Sequence, residues 1–184
     1  MSVRAGKSLP DFILVMGVSG CGKSTIAASL AKALCGSFIE GDDLHPTENI
    51  AAMRAGQPLN DEMRQPWLQA ICTAALDESA GPRPVVIACS ALKRRYRDLL
   101  RARLPAVFFV HLDGSAEVIG RRLSARSGHF MPASLLASQI KDLEAPGADE
   151  AGIRVDIRIT APEVLAAILN HIDPNEAIPK ATRR

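Results

Sequence analysis

Apolar and polar positions along the chain fall into two periods. Phe12-Ile-Leu-Val-Met16 is a continuous apolar run rich in branched residues, the pattern of a strand buried on both faces of a parallel sheet. Beyond a Gly-rich turn, Ile26, Leu30 and Leu34 recur at helical spacing with Ala27 and Ala31 beside them, which predicts a helix capped at Gly36. Further strands are predicted at Ser37–Glu40, Val85–Ala88 and Ala106–Val110, with helical patterns between them. Ile153, Val155, Ile157 and Ile159 alternate with Arg154, Asp156 and Arg158, which reads as a strand with one wet face at the edge of the sheet.

Five strands interleaved with helices need crossover connections. The prediction is therefore a three-layer α/β/α fold around a five-stranded parallel sheet, in a single domain over 1–184. Two segments, 41–68 and about 121–146, carry dense polar residues without strand pattern and are the expected seats of specificity. Residues 173–184 read as a loose tail.

Composition narrows the picture by exclusion. A chain of 184 residues with 47% apolar and 23% charged residues has enough apolar surface for one core. A formal net charge of +2 gives no field for nucleic acid or an anionic membrane, and one Tyr and one Trp offer little base stacking. The run 12–16 is too short to span a bilayer, and residues 1–11 lack the apolar stretch of a secretory signal, so a cytoplasmic location is expected. Cys21, Cys35, Cys72 and Cys89 form no C-x-x-C pair and read as free thiols.

Between the first strand and first helix stands Gly17-Val18-Ser19-Gly20-Cys21-Gly22-Lys23-Ser24, an ungapped G-x-x-x-x-G-K-[ST] loop, with Thr25 following. Its glycines let backbone N–H groups curl round a polyphosphate, and the helix aims its positive end at it. Lys23 reaches the outer phosphates, and Ser24 can ligate magnesium. ATP with Mg²⁺ is the expected cofactor pair. The loop fixes the ligand class and leaves the reaction open. No N-K-x-D guanine-reading motif occurs, and Val85–Ser90 has no acid at its end, so a GTPase and a mechanical ATPase are disfavoured.

After the second strand, Gly41-Asp42-Asp43-Leu44-His45-Pro46 puts two carboxylates and a histidine where ligands of open α/β sheets bind, although an Asp-rich helix cap would look the same. Asp42 is placed to accept a hydroxyl proton, which with Lys23 and Mg²⁺ makes a minimal phosphoryl-transfer set.

These residues carry a resemblance to the gluconate kinase family over nearly the full chain. It runs through residues 16–24, 41–46, Asn49, Met53, Gly56, Pro58–Asp61, Arg64 and Pro66–Leu68. It continues through Cys89–Lys93, Tyr96–Asp98, Gly128–Phe130 and Gln139–Pro146. The resemblance implies Mg-ATP-dependent phosphorylation of D-gluconate at its C6 hydroxyl, a fold similar to shikimate and nucleoside monophosphate kinases, and a homodimer. It implies that Asp42 holds the reacting hydroxyl and that His45, Arg64, Lys93 and Arg97 face the polyol and its carboxylate, with His129 and Gln139 also on the substrate. A cation for the carboxylate, ideally a bidentate arginine, is what a sugar acid requires. A kinase for another hydroxylated acid and a non-catalytic ATP-binding regulator stay open as alternatives. In two places the chain departs from the family pattern. Met63 stands where P-L-x-D-x-D-R has its second Asp, and Ala52 replaces the usual Lys before Met53.

Arg121, Arg122 and Arg126 precede Ser127-Gly-His-Phe-Met-Pro132, a break between two helical patterns that reads as a hinged lid. By the resemblance Arg122 lies near adenine and Arg126 near phosphate. Arg94, Arg95, Arg101 and Arg103 read as a solvated helix face.

Overall fold

A computed structural model describes residues 9–124 and 133–172. Arg126, His129 and the tail 173–184 lie outside the described residues. The five strands are β1 (Phe12–Met16), β2 (Ser37–Glu40), β3 (Val85–Ala88), β4 (Val107–Asp113) and β5 (Gly152–Asp156). All pair in parallel in the order β2-β3-β1-β4-β5. The helices are α1 (Lys23–Ala33), α2 (Thr47–Arg54), α3 (Asp61–Glu78), α4 (Arg94–Arg103), α5 (Ala116–Ser124), α6 (Ala133–Asp142) and α7 (Ala161–Ile172).

Alternating side chains of the central strand divide the core. Ile13 and Val15 pack with Ile26 and Leu30 of α1 and Val164 and Ile168 of α7. Phe12, Leu14 and Met16 pack on the opposite face with Trp67 and Ile71 of α3 and Tyr96 and Leu100 of α4. The predicted three layers are thus observed, and β5 does form an edge. It is shorter than its alternation suggests: Ile157 is buried beyond the strand's end, whereas Ile159 is exposed.

Helix α1 ends differently from expectation. The left-handed residue is Cys35, with φ of 52°, and the Cys35 and Gly36 N–H groups return to the carbonyls of Lys32 and Ala31. Gly36 serves instead as a close-approach point, since a Cβ there would lie 2.0 Å from the Pro84 oxygen.

Parallel pairing brings all the strand C-termini to one end. The loop after β1 and the turn after β2 meet there, and the Gly17 N–H donates to the Ser90 carbonyl beyond β3.

Candidate functional site

The phosphate loop runs from Gly17 into α1. Gly22, at φ of 101°, is the N-cap, and no side chain caps the helix. A side chain with a Cβ is strained at that φ, and the uncapped first-turn N–H groups are left for an anion. Ser19, Lys23, Ser24, Thr25 and Asp42 line one small polar cavity. Lys23 Nζ lies 3.3 Å from the Val18 carbonyl, folded over its own loop. Cys21 is buried below the loop, and burial pushes its thiol up against the opposing pull of Lys23.

Asp42 comes from a 3-10 turn, Gly41–Leu44, capped by Glu40, whose carboxylate accepts from the Asp42 N–H at 3.4 Å. The turn is seated hard against β3: a Cβ on Gly41 would stand 2.4 Å from the Ala88 oxygen. From the other side Trp67 Nε1 donates to the Gly41 carbonyl at 2.7 Å, while its ring stacks on His45 at 4.2 Å and 12°. Asp42, His45, Arg64, Trp67, Ser90 and Gln139 line a second cavity, which Ser19 and Lys23 also border. Ser19, Lys23 and Asp42 are shared by the two cavities, so the polar cleft and the phosphate loop adjoin at these residues.

One wall of the cleft is a charged network. Arg64 NH1 donates to the Tyr96 hydroxyl at 2.9 Å and approaches Asp142 Oδ2 of α6 at 3.4 Å. Lys93 Nζ pairs with Asp61 at 3.1 Å and Asp142 at 3.5 Å. The Tyr96 hydroxyl donates to Asp61, and that bond, helped by Lys93 and Arg95, holds the Asp61 carboxyl below its ordinary range. Asp142, within the stretch Gln139–Pro146 but given no role by the sequence, holds Arg64 from α6. Helix α6 also reaches the phosphate loop, where the Ser19 N–H donates to Gln139 Oε1 at 2.7 Å.

Arg97 is not brought to the cleft. Its side chain is 1% exposed and chelates Glu150 through Nε at 2.6 Å and NH2 at 3.0 Å, while NH1 donates to the carbonyls of Ala91, Leu92 and Glu144. This corrects the expectation that Arg97 faces the polyol, because its donors are already committed. Burial opposes ionisation of Glu150, but Arg97 and the Gly147 N–H outweigh it and hold the carboxyl low. Lys93 does not line the cleft, which corrects the expectation that it faces the polyol; it pairs with Asp61 and with Asp142, and Asp142 in turn holds the cleft-lining Arg64.

Arg122 closes a third cavity, mostly apolar, with Cys21, Thr25, Ile157 and Ile159. It donates to the Ile157 carbonyl at 2.5 Å and the Cys21 carbonyl at 3.4 Å. In the sequence, Asn49 and Trp67 stand only as letters shared with the family pattern. Their buried contacts with His45 and the Gly41 turn identify them as parts of the site.

Comparison with known proteins gives consistent results. A family model described as an AAA domain matches residues 12–146. The chain is 47% identical to the gluconokinase of Gluconobacter oxydans over 91% of this chain and 94% of that one. It is also 47% identical to the thermoresistant gluconokinase of Escherichia coli, over 77% of this chain and 81% of the relative. A solved gluconokinase from Sinorhizobium meliloti superposes with a TM-score of 0.80 at 45% identity, covering 91% of this chain and 95% of that one. A shikimate kinase from Aquifex aeolicus, at 17% identity and a TM-score of 0.59, shares the fold.

Proposed function

The chain belongs to the AAA-domain family and, within it, to the gluconokinases, and on that premise we propose that it transfers the γ-phosphoryl group of ATP to the C6 hydroxyl of D-gluconate. The observation that carries the reading is the junction of the two cavities at Lys23 and Asp42. A phosphoryl donor seated on the loop meets there an acceptor seated in the cleft, in the arrangement an in-line transfer requires.

In this reading Asp42 accepts the proton of the attacking hydroxyl, and Lys23 swings from the Val18 carbonyl to the outer phosphate oxygens. His45 engages the polyol, and Arg64 offers its guanidinium to the carboxylate. Gln139 releases the Ser19 N–H to phosphate and turns to substrate. Arg122 borders the cavity that would take adenine, while Arg126 acts on phosphate and His129 on substrate, as the family resemblance implies. Among the described residues no group of three His, Cys, Asp or Glu side chains is placed to hold a metal. The Ser24 hydroxyl, in the phosphate-loop cavity, suits an ion that takes its other ligands from phosphate and water. Mg²⁺ there supplies charge neutralisation of the transferring group.

Other parts of the proposal rest on the family resemblance and the residue pattern: a single kinase domain over 1–184, a homodimer, a cytoplasmic location, and no nucleic-acid or membrane partner. Among the described residues no helix is long and apolar enough to cross a membrane. A kinase for a shikimate-like acid and an inactive ATP-binding regulator are not favoured by relatives at this identity.

The test is incubation of the protein with Mg-ATP and D-gluconate, with mass spectrometry of the products. 6-Phosphogluconate formed with equimolar ADP is expected. Turnover of another hydroxylated acid with none of gluconate overturns the substrate assignment.

A further inference from the structure

Asn49 on α2 is 3% exposed. Its Nδ2 donates to the Met63 backbone carbonyl at 2.8 Å and stands 3.2 Å from His45 Nδ1. A carbonyl has no hydrogen to give, so the nitrogen end of the Asn49 carboxamide, and not its oxygen, must face Met63. That fixes the amide's orientation. The same nitrogen has two donors and no acceptor capacity, so its second hydrogen is directed at His45 Nδ1, which must accept it. In a neutral imidazole whose Nδ1 accepts, the hydrogen resides on Nε2.

Trp67 supplies the other constraint. Its ring lies 4.2 Å from the His45 ring and nearly parallel to it, which fixes the imidazole plane while Asn49 fixes its rotation. Nε2 has no protein partner among the described residues, and His45 lines the cleft that Asp42 and Arg64 share.

We propose that Asn49 is a positioning residue that locks His45 as its Nε2–H tautomer, so that His45 serves as a hydrogen-bond donor to a substrate hydroxyl oxygen and not as the proton acceptor of the transfer. The groups that act on the ring are Asp42 from the 3-10 turn and Arg64 from α3. Burial draws the imidazole below its ordinary 6.5, Asp42 opposes and Arg64 adds, which favours the neutral ring. A hydroxyl whose oxygen accepts from His45 keeps its own hydrogen free for a carboxylate, so acceptance of the proton falls to Asp42. A site built to donate to a hydroxyl also discriminates against a ligand that lacks it, because the donor, once the bound ligand shuts water out, is left unpaired. The tautomer stands on the protein alone, whereas its use on a polyol rests on the gluconate reading.

Nitrogen-15 NMR of the ligand-free enzyme with labelled histidine tests the tautomer, with His45 assigned by the signal lost in His45→Gln. The Nε2–H pattern is expected in the parent. Asn49→Leu should show a mixture of tautomers and raise KM for gluconate about three- to tenfold, the worth of one hydrogen bond, with kcat and KM for ATP held. Asn49→Asp offers only acceptors, so it should drive the ring to Nδ1–H or to the imidazolium; only the imidazolium then keeps an Nε2–H, so KM for gluconate should rise with pH in this variant as the ring loses its charge, a dependence the parent lacks. An Nδ1–H parent, or an Asn49→Leu spectrum equal to the parent's, overturns the proposal. Failure to turn over gluconate overturns the substrate reading and leaves the NMR outcome decisive for the tautomer.

Discussion

Arg97 and Glu150, 53 residues apart, form a two-point ion pair with both side chains at most 1% exposed, beneath the wall of the cleft and with no access to it. Each charge is costly without the other in a buried site, so removal of one partner is worth about 3–5 kcal/mol. Arg97→Met is therefore expected to lower the denaturation midpoint sharply while the folded fraction keeps the parent's KM for gluconate. Denaturant titration beside initial-rate kinetics checks this. A raised KM at unchanged stability would return Arg97 to the substrate.

This pair also shows where reading the sequence stops. The runs at Phe12–Met16 and Val85–Ala88 are legible because a doubly covered strand must be apolar throughout, and the loop 17–24 because its letters encode its own geometry. The family resemblance points Arg97 at the polyol, but Glu150, which decides its direction, lies in a distant loop that no local pattern connects to it. Lys93 is the N-cap of α4, and its ammonium pairs with Asp61 and Asp142. Asp142 falls in a stretch that matches the family pattern, but only the fold sets it beside Arg64. At Cys35, tertiary packing of Gly36 against Pro84 places the left-handed residue one position earlier than the glycine suggests.

His111 of β4 is 1% exposed, and neither ring nitrogen has a partner among the described residues. Burial draws it below its ordinary 6.5, Asp113 opposes, and Arg154 and Arg97 add. As pH falls below 6.5 the unfolded chain binds a proton that the folded chain refuses, so stability is full above that value and declines beneath it. Thermal midpoints between about pH 5 and 7 should fall more steeply in the parent than in His111→Leu, with at most about 1.4 kcal/mol per pH unit at stake. Equal slopes would place the acid sensitivity elsewhere.

Lys23 and Asp42 border the same junction, but their proposed tasks separate kinetically. Lys23→Ala removes a cation from the phosphates and should weaken ATP binding as well as turnover. Asp42→Asn keeps the shape and loses the proton acceptor, so kcat should drop about 10²- to 10⁴-fold with ATP affinity near the parent's. Isothermal titration with a non-hydrolysable ATP analogue, beside steady-state rates, distinguishes them. An Asp42→Asn enzyme nearly as fast as the parent would remove Asp42 from proton transfer.

Trp67 holds the Gly41 carbonyl with its indole N–H and the His45 ring with its face, so two substitutions separate its two contributions. Trp67→Phe keeps an aromatic face for His45 and leaves the Gly41 carbonyl without its donor, a loss of about 1–3 kcal/mol at a buried acceptor. The affected backbone begins the turn that carries Asp42, and Gly41 cannot move toward β3 because the Ala88 oxygen already blocks a Cβ there. Relaxation of that turn shifts Asp42 from its place at the cleft. The expected signature is a lower kcat with KM for ATP unchanged and KM for gluconate little altered. Trp67→Leu removes the stacked ring as well and should raise KM for gluconate in addition. If Trp67→Phe matches the parent in kcat while Trp67→Leu does not, the turn is held by packing alone and the hydrogen bond to Gly41 has no share in placing Asp42.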